Sequence, residues 1–117
     1  MDKQATGRLG EDLAVGFLQK QGYKILTRNF RSHFGEVDIV AQDKKTLVFV
    51  EVKMRDDYSF GYPEEAVTPR KISSIIKTGQ YYKLVYPGTP SLMRVDVVAI
   101  DMIGDQPQIR LHKNITL

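Results

Sequence analysis

The most restrictive feature of the sequence is an apolar run, 47–52, with apolar side chains on both faces of an extended chain. Because successive side chains of a strand point to opposite faces, Leu47 and Phe49 lie on one face and Val48 and Val50 on the other. A strand that is apolar on both faces has to be covered on both sides, which is typical of the middle of a sheet flanked by helices. The run therefore predicts the central strand of an α/β domain.

The rest of the chain predicts two helices and four further strands around that strand. Apolar residues at three- and four-residue spacing predict a first helix that ends near Gln21. Thr68 followed by Pro69 predicts the start of a second helix, and the polar link 43–46 predicts an antiparallel hairpin that includes the central strand. The predicted strands are 23–31, 36–42, 47–54, 92–102 and 108–112. The order α-β-β-β-α-β-β predicts an α/β fold with a central mixed sheet flanked by helices.

Composition restricts the class of protein. The 117 residues suffice for one domain, 1–117, and not for two. The net charge of +3 mildly favours a polyanionic partner, and the absence of cysteine excludes disulfide scaffolds, cysteine nucleophiles and thiolate zinc sites. With no apolar run of about 20 residues and a charged N-terminal segment, the sequence predicts a cytoplasmic protein without a signal peptide or membrane anchor.

Three charged residues interrupt the apolar strands. Asp38 lies in the strand before the central one, and Glu51 and Lys53 lie in the central strand itself. An ionised side chain in such a position has to be paired, shift its pKa or bind a metal. Glu51 and Lys53 are two residues apart and so share a face. The hairpin pairing brings Asp38 beside Glu51, and a slip of one residue would separate them.

Two convergent carboxylates beside a lysine suit the hydrolysis of a phosphodiester. Mg²⁺ needs few protein ligands and prefers carboxylate oxygens and waters. The lysine can position the attacking water or stabilise negative charge in the transition state. Glu11 lies on the core-facing side of the first helix with Ala14 and Leu18, and fits a supporting part.

These residues resemble the PD-(D/E)xK nuclease superfamily, although Val37 stands where that superfamily has proline. The resemblance is carried by Gly35-Glu36-Val37-Asp38, by Glu51-Val52-Lys53, and by a preceding helix with Gly10-Glu11. Over nearly its full length the chain resembles the YraN family of small bacterial proteins, which are similar to Holliday-junction resolvases. The matching segments include Phe60-Gly61, Glu65-Ala66-Val67, Thr68-Pro69-Arg70-Lys71 and Arg94-Val95-Asp96-Val97-Val98.

The resemblance implies a restriction-endonuclease-like fold and a metal-dependent endonuclease that acts on branched or structured DNA. It implies that Asp38, Glu51 and the carbonyl of Val52 hold Mg²⁺ or Mn²⁺, with Glu11 assisting and Lys53 catalytic. Similar resolvases act as homodimers, so the resemblance also implies a homodimer with two active sites, which suits a four-way junction.

Four basic residues are candidates to contact DNA phosphates: Arg31, Arg55, Arg70 and Lys71. Lys71 falls in the first turn of the second helix, where the backbone amides also favour anions. The loop aromatics Tyr58, Phe60 and Tyr62 suit either stacking on bases or a small satellite core.

Other interpretations stay open on the sequence alone. The carboxylates and the lysine also suit a structural ion-pair cluster, and Glu11 also suits a solvated helix position near an arginine. A non-cutting or partner-dependent nucleic-acid-binding accessory protein with the same fold fits the sequence as well.

Overall fold

The computed structural model describes residues 3–57, 59 and 61–115. Its elements follow the predicted order, and a short 3₁₀ helix precedes the second α-helix, in a segment where the sequence predicts only a loop or a short irregular piece. The elements are α1 (Lys3–Lys20), β1 (Lys24–Ser32), β2 (Gly35–Asp43), β3 (Thr46–Arg55), the 3₁₀ helix (Pro63–Ala66), α2 (Pro69–Val85), β4 (Leu92–Asp101) and β5 (Gln108–His112).

The five strands form one mixed sheet in the order β1-β2-β3-β4-β5. β3 is the middle strand, as its apolar sequence predicts. It pairs antiparallel with β2 and parallel with β4, and the chain between β3 and β4 crosses over through α2. A parallel pair needs such a crossover because its two strands run in the same direction.

The two α-helices cover opposite faces of the sheet. Val48 and Val50 of β3 pack in the cluster that includes residues of α1, and Leu47 and Phe49 pack in the cluster that includes residues of α2. The helices, the mixed sheet and the element order are those of a restriction-endonuclease-like α/β fold, which confirms the predicted class. Neither helix, over the part of the chain that the structure describes, is long and apolar enough to cross a membrane.

Hydroxyl groups fasten the turn between β1 and β2 to α2. Ser74 Oγ donates a hydrogen bond to the carbonyl of Phe34 at 2.6 Å, and the hydroxyls of Ser32 and Thr78 lie 3.1 Å apart. Gly35 has φ 142°, and a Cβ there would lie 2.2 Å from Ser74 Oγ, so the position requires glycine. These contacts fix the middle of α2 against the beginning of β2, the strand that carries Asp38.

A second set of polar contacts ties the 3₁₀ helix to β5. Glu64 accepts hydrogen bonds from Nε and a terminal nitrogen of Arg110 at 2.9 and 2.8 Å. Arg110 also pairs with the buried Asp101 on β4, and His112 Nε2 lies 2.7 Å from Glu64. The segment that follows β3 is therefore held to the neighbouring edge of the sheet.

Candidate functional site

The candidate site lies where β2 separates from β3. Main-chain pairing between these strands ends at Ile39 and Val50, whereas β2 stays paired with β1 beyond that point. If the register continued, Val52 would face Val37. Its amide instead donates to Oδ2 of Asp38 at 2.8 Å. The Asp38 side chain thus replaces a main-chain partner of Val52.

The backbone is irregular on both sides of Asp38. In β1, Asn29 lies between the residues paired with Ile39 and with Val37, and its φ of 55° is in the left-handed region. Asparagine occupies that region more readily than most residues. Val37 packs in the cluster of α2 and Ile39 in the cluster of α1, although an undistorted strand would place both on one face. The distortion turns Asp38 into the opening between the strands.

The carbonyl of Val52 points toward the same opening. The N–H and the C=O of one strand residue point to the same edge of the strand, and the N–H of Val52 points to Asp38. A backbone oxygen therefore joins the carboxylate at the place where the two strands part.

Glu51 is the buried carboxylate of the site. It is 4% exposed, and its Oε2 has no hydrogen-bond partner among the described residues. Burial raises the pKa of Glu51 to about 8, and the negative charge of Asp38 raises it as well. The Nζ of Lys71 on α2 lies 3.5 Å from Oε2.

The buried Asp96 on β4 shows what a structural carboxylate looks like in this fold. It is fully buried, and both of its oxygens are bonded: Oδ2 accepts from the Tyr23 hydroxyl, and Oδ1 accepts from Arg94 Nε and the amide of Asn114. Each oxygen of Asp96 accepts hydrogen bonds within the chain, whereas Oε2 of Glu51 accepts none from the described residues and has only the ion pair with Lys71. A buried carboxylate oxygen without a hydrogen-bond partner needs an explanation, and a position for an ion or a water is one such explanation.

Lys53 lies on the same face of β3 as Glu51, and its charge acts to lower the pKa of that carboxyl. Glu11 approaches from the other side, on α1, with its side chain 17% exposed. Burial raises the pKa of Glu11, and Asp38 raises it as well. Glu11 Oε1 is also buried without a hydrogen-bond partner in the described part of the chain, and the guanidinium of Arg28 is 3.7 Å away. The charge of Asp38 therefore acts on both Glu11 and Glu51.

The donor set fits a hard divalent cation. Asp38 and Glu51 supply carboxylate oxygens, Val52 supplies a carbonyl, and Oε2 of Glu51 has no hydrogen-bond partner among the described residues. Within residues 3–57, 59 and 61–115, no three histidine, cysteine or acidic side chains form a complete cage. Two carboxylates with a carbonyl and waters match Mg²⁺, which retains several waters in most protein sites.

The structure places the predicted DNA-contacting residues in different surroundings. The side chain of Arg31 is 78% exposed and lies 3.4 Å from Glu36, and Arg70 is exposed at the start of α2. Arg55 is half-buried, with its Nε unpartnered among the described residues. Lys71 lies within the site itself, paired with Glu51.

The loop aromatics fall partly beyond the described chain. Tyr58 and Phe60 lie outside the described residues. Tyr62 is 53% exposed, and the guanidinium carbon of Arg110 lies 5.7 Å from the centre of its ring. The ring therefore covers the ion pair that holds the 3₁₀ helix.

Two features of the site were not predicted from the sequence. One is the ion pair of Lys71 with Glu51, because the sequence predicts Lys71 only as a contact to DNA phosphates. The other is Asn29, whose side chain acts to lower the pKa of Glu11. An asparagine inside a run of strand-forming residues was the available signal, because asparagine is depleted in strands and enriched at left-handed positions.

Comparisons with known proteins identify the family. Residues 10–100 match the model described as "Uncharacterised protein family UPF0102". A UPF0102 protein of Persephonella marina is 47% identical over 94 residues, which are 80% of this chain and 81% of that protein. One of Carboxydothermus hydrogenoformans is 40% identical over 118 residues, covering 98% of each chain. The chain therefore belongs to the UPF0102 family, which is the YraN family that its sequence resembles.

Proposed function

We propose that this protein is a metal-dependent endonuclease that hydrolyses phosphodiesters in branched or structured DNA. The observation that carries the proposal is the buried Oε2 of Glu51, which has no hydrogen-bond partner among the described residues and lies beside Asp38 where β2 and β3 separate. The resemblance to Holliday-junction resolvases supports the class of substrate. We also propose the cytoplasm as its compartment, because the proposed substrate is cellular DNA.

Asp38, Glu51 and the carbonyl of Val52 would hold Mg²⁺ or Mn²⁺. Once bound, the cation supplies Lewis acidity toward the phosphate and toward the attacking water. Glu11 supports the site from α1, where its carboxylate orients groups near Asp38. The amide of Val52 holds the Asp38 carboxylate in one orientation, so the chain presents its oxygens without rearrangement.

Lys53 carries the catalytic positive charge. It shares a strand face with Glu51 and is half-buried, so solvent screens its charge less than that of an exposed lysine. Its ammonium orients the attacking water through hydrogen bonds and stabilises the negative charge that develops on the phosphate oxygens. Rigid β3 fixes the distance between the ammonium and the carboxylates.

Arg31, Arg55 and Arg70 supply positive charge around the opening. Arg31 and Arg70 are exposed and suit phosphates outside the scissile bond, whereas Arg55 is half-buried and lies on the face of β3 that carries Lys53. Contacts to phosphates position DNA without reading its sequence. These arginines therefore suit a DNA substrate that is recognised by its shape and not by its sequence.

We further propose that the protein acts as a homodimer, because a four-way junction presents two equivalent strands to cut. Sedimentation velocity of the protein, alone and with junction DNA, measures this directly. A monomer under both conditions would overturn the homodimer and leave the proposed chemistry in place.

The nuclease is tested by cleavage of labelled duplex, single-stranded, flap and four-way-junction DNA in Mg²⁺ or Mn²⁺. Glu51→Gln keeps the volume of the buried side chain and Lys53→Met keeps the length of the stem, so each removes charge with little change in packing. We expect each to reduce cleavage by at least about 100-fold, whereas Lys45→Met, in the exposed β2–β3 turn, cuts at the wild-type rate.

Cleavage that persists in Glu51→Gln comes from a contaminant or another site and would contradict the assignment. If the wild type binds junctions and cuts none, the non-cutting or partner-dependent accessory protein replaces the nuclease as the proposed function. Junction binding is measured in the same assay series, so the two functions give different results.

A further inference from the structure

The ion pair between Lys71 and Glu51 occupies the oxygen that a metal would need. Nζ of Lys71 lies 3.5 Å from Oε2 of Glu51, the same oxygen that has no hydrogen-bond partner among the described residues. In the metal-free protein, the ammonium of Lys71 is thus a cation within the candidate site. A divalent cation on Oε2 would meet the ammonium at a distance where like charges repel strongly.

The side chain of Lys71 can move away from Glu51 more readily than that of Lys53. The root of Lys71 is fixed, because its amide donates to Oγ1 of Thr68 at the cap of α2. Its long side chain is 36% exposed and can swing toward solvent. Lys53 makes no ion pair with the described residues within 4.0 Å and lies on the middle strand. Among the described lysines, Lys71 alone has its ammonium within 4.0 Å of the Glu51 carboxylate, and its partly exposed side chain can reach the surface.

We propose that Lys71 is an exchangeable cation, which pairs with Glu51 in the metal-free protein and moves to a DNA phosphate when a divalent cation binds. The inference rests on the proposed function for the identity of both ligands. Metal binding and DNA binding are then coupled through one side chain, since the cation releases the ammonium that the phosphate receives.

The charges of the site support the exchange. When Asp38 and Glu51 are ionised, their two negative charges balance the two positive charges of Lys53 and Lys71. A divalent cation that entered with both ammoniums in place would add two positive charges to a partly buried site. Movement of Lys71 to an anion outside removes part of that excess.

The first test measures Mn²⁺ affinity by calorimetry, without DNA. Lys71→Met keeps the backbone amide that caps α2 and removes the ammonium, so we expect Mn²⁺ to bind roughly tenfold more tightly than to the wild type. Lys77→Met, on an exposed residue six positions further along α2, is the matched control and should bind Mn²⁺ as the wild type does. Lys71→Arg keeps the charge and should also keep the weaker binding.

Equal or weaker Mn²⁺ binding by Lys71→Met overturns the proposal, as does the absence of binding by both proteins. If thermal melting shows that Lys71→Met is unfolded, Lys71→Gln replaces it with the same expected result. Tighter binding by Lys71→Arg as well would also overturn the proposal, because the charge would then not be what competes with Mn²⁺.

The second test measures how the affinity for a four-way junction depends on salt, in EDTA and in Ca²⁺. Each phosphate contact by a lysine steepens the dependence of log affinity on log salt by about one. We expect the slope of the wild type to be steeper by about one in Ca²⁺ than in EDTA, and the slope of Lys71→Met to be the same in both. Equal slopes for the wild type would contradict the movement of Lys71 to a phosphate.

These outcomes separate the inference from the nuclease. A wild type that cuts junctions while Lys71→Met shows unchanged Mn²⁺ affinity overturns the exchange and leaves the nuclease intact. Tighter Mn²⁺ binding and the slope change without any cleavage support the exchange and overturn the nuclease.

Discussion

Asp38 accepts the amide proton of Val52 at 2.8 Å, two residues beyond the last main-chain pair between β2 and β3. The carboxylate of Asp38 thus has two roles. It satisfies a backbone donor that the separating strands leave without a partner, and it faces Glu51. Variants that keep the hydrogen bond and remove the charge separate the structural part from the chemical part.

We expect Asp38→Ala to be less stable than Asp38→Asn by about 1–3 kcal/mol. Alanine leaves the Val52 amide unsatisfied, whereas the asparagine oxygen can still accept its proton. Both variants lose the negative charge beside Glu51, so that effect cancels in the comparison. Urea unfolding in EDTA measures the difference, and equal stability of the two variants would show that the hydrogen bond contributes little.

We expect Glu51→Gln to gain stability over the wild type as the pH rises. The folded pKa of Glu51 is raised to about 8 by burial and by Asp38, from an ordinary value of 4.5. The protonated form favours folding, so its contribution is full below pH 4.5 and is lost as the pH rises through 8. Glutamine does not titrate, and we expect its advantage in EDTA to reach on the order of 2 kcal/mol at pH 9.

Urea unfolding between pH 5 and pH 9 tests this expectation. Asp105→Asn, in the exposed turn between β4 and β5, is the control and should follow the wild type at every pH. A constant difference between Glu51→Gln and the wild type would show that Glu51 titrates in its ordinary range.

We expect Glu64→Gln to show the opposite dependence on pH. Hydrogen bonds from Arg110 lower the pKa of Glu64 to about 2, so its contribution to stability is present above pH 4.5 and is lost as the pH falls through 2. The side chain of Arg110 is 35% exposed, and screening by solvent limits the effect to about 1 kcal/mol at pH 6. Glu65→Gln is the control, and a difference that persists at pH 2 would refute the ion-pair origin.

We expect alanine to have opposite effects at two helical glycines. At Gly79 of α2 a Cβ would lie 2.5 Å from the buried ring of Phe49, and we expect a loss of about 1–3 kcal/mol. At Gly16 of α1 a Cβ would meet no neighbouring atom of the described residues within 4 Å, and alanine should stabilise the protein by about 0.5–1 kcal/mol. Thermal melts of the two variants measure both signs, and stabilisation by Gly79→Ala would mean that α2 can move away from the sheet.

The sequence predicts the parts of the fold that local patterns control. The alternation of Leu47, Val48, Phe49 and Val50 assigns both faces of β3, and the short link after β2 sets the register that brings Asp38 near Glu51. Both depend on neighbours in the chain, because the period of a strand and the length of a turn are local properties.

The rest depends on contacts between distant segments. Lys71 meets Glu51 only because α2 crosses the sheet on the face that carries Glu51. Glu64 meets Arg110 although 46 residues separate them. A single sequence gives the charge of each partner and not the position of one element on another, so neither pair was predicted.

The two-residue turn of Lys44 and Lys45 between β2 and β3 has a consequence for the order of folding. Hairpins with short turns close within microseconds, whereas a parallel pair must wait for its long crossover. Asp38 and Glu51 can therefore come together before α2 arrives with Lys71. During that interval the two carboxylates face each other without a helical ammonium beside them, and a divalent cation in the refolding buffer should speed the closure of the hairpin.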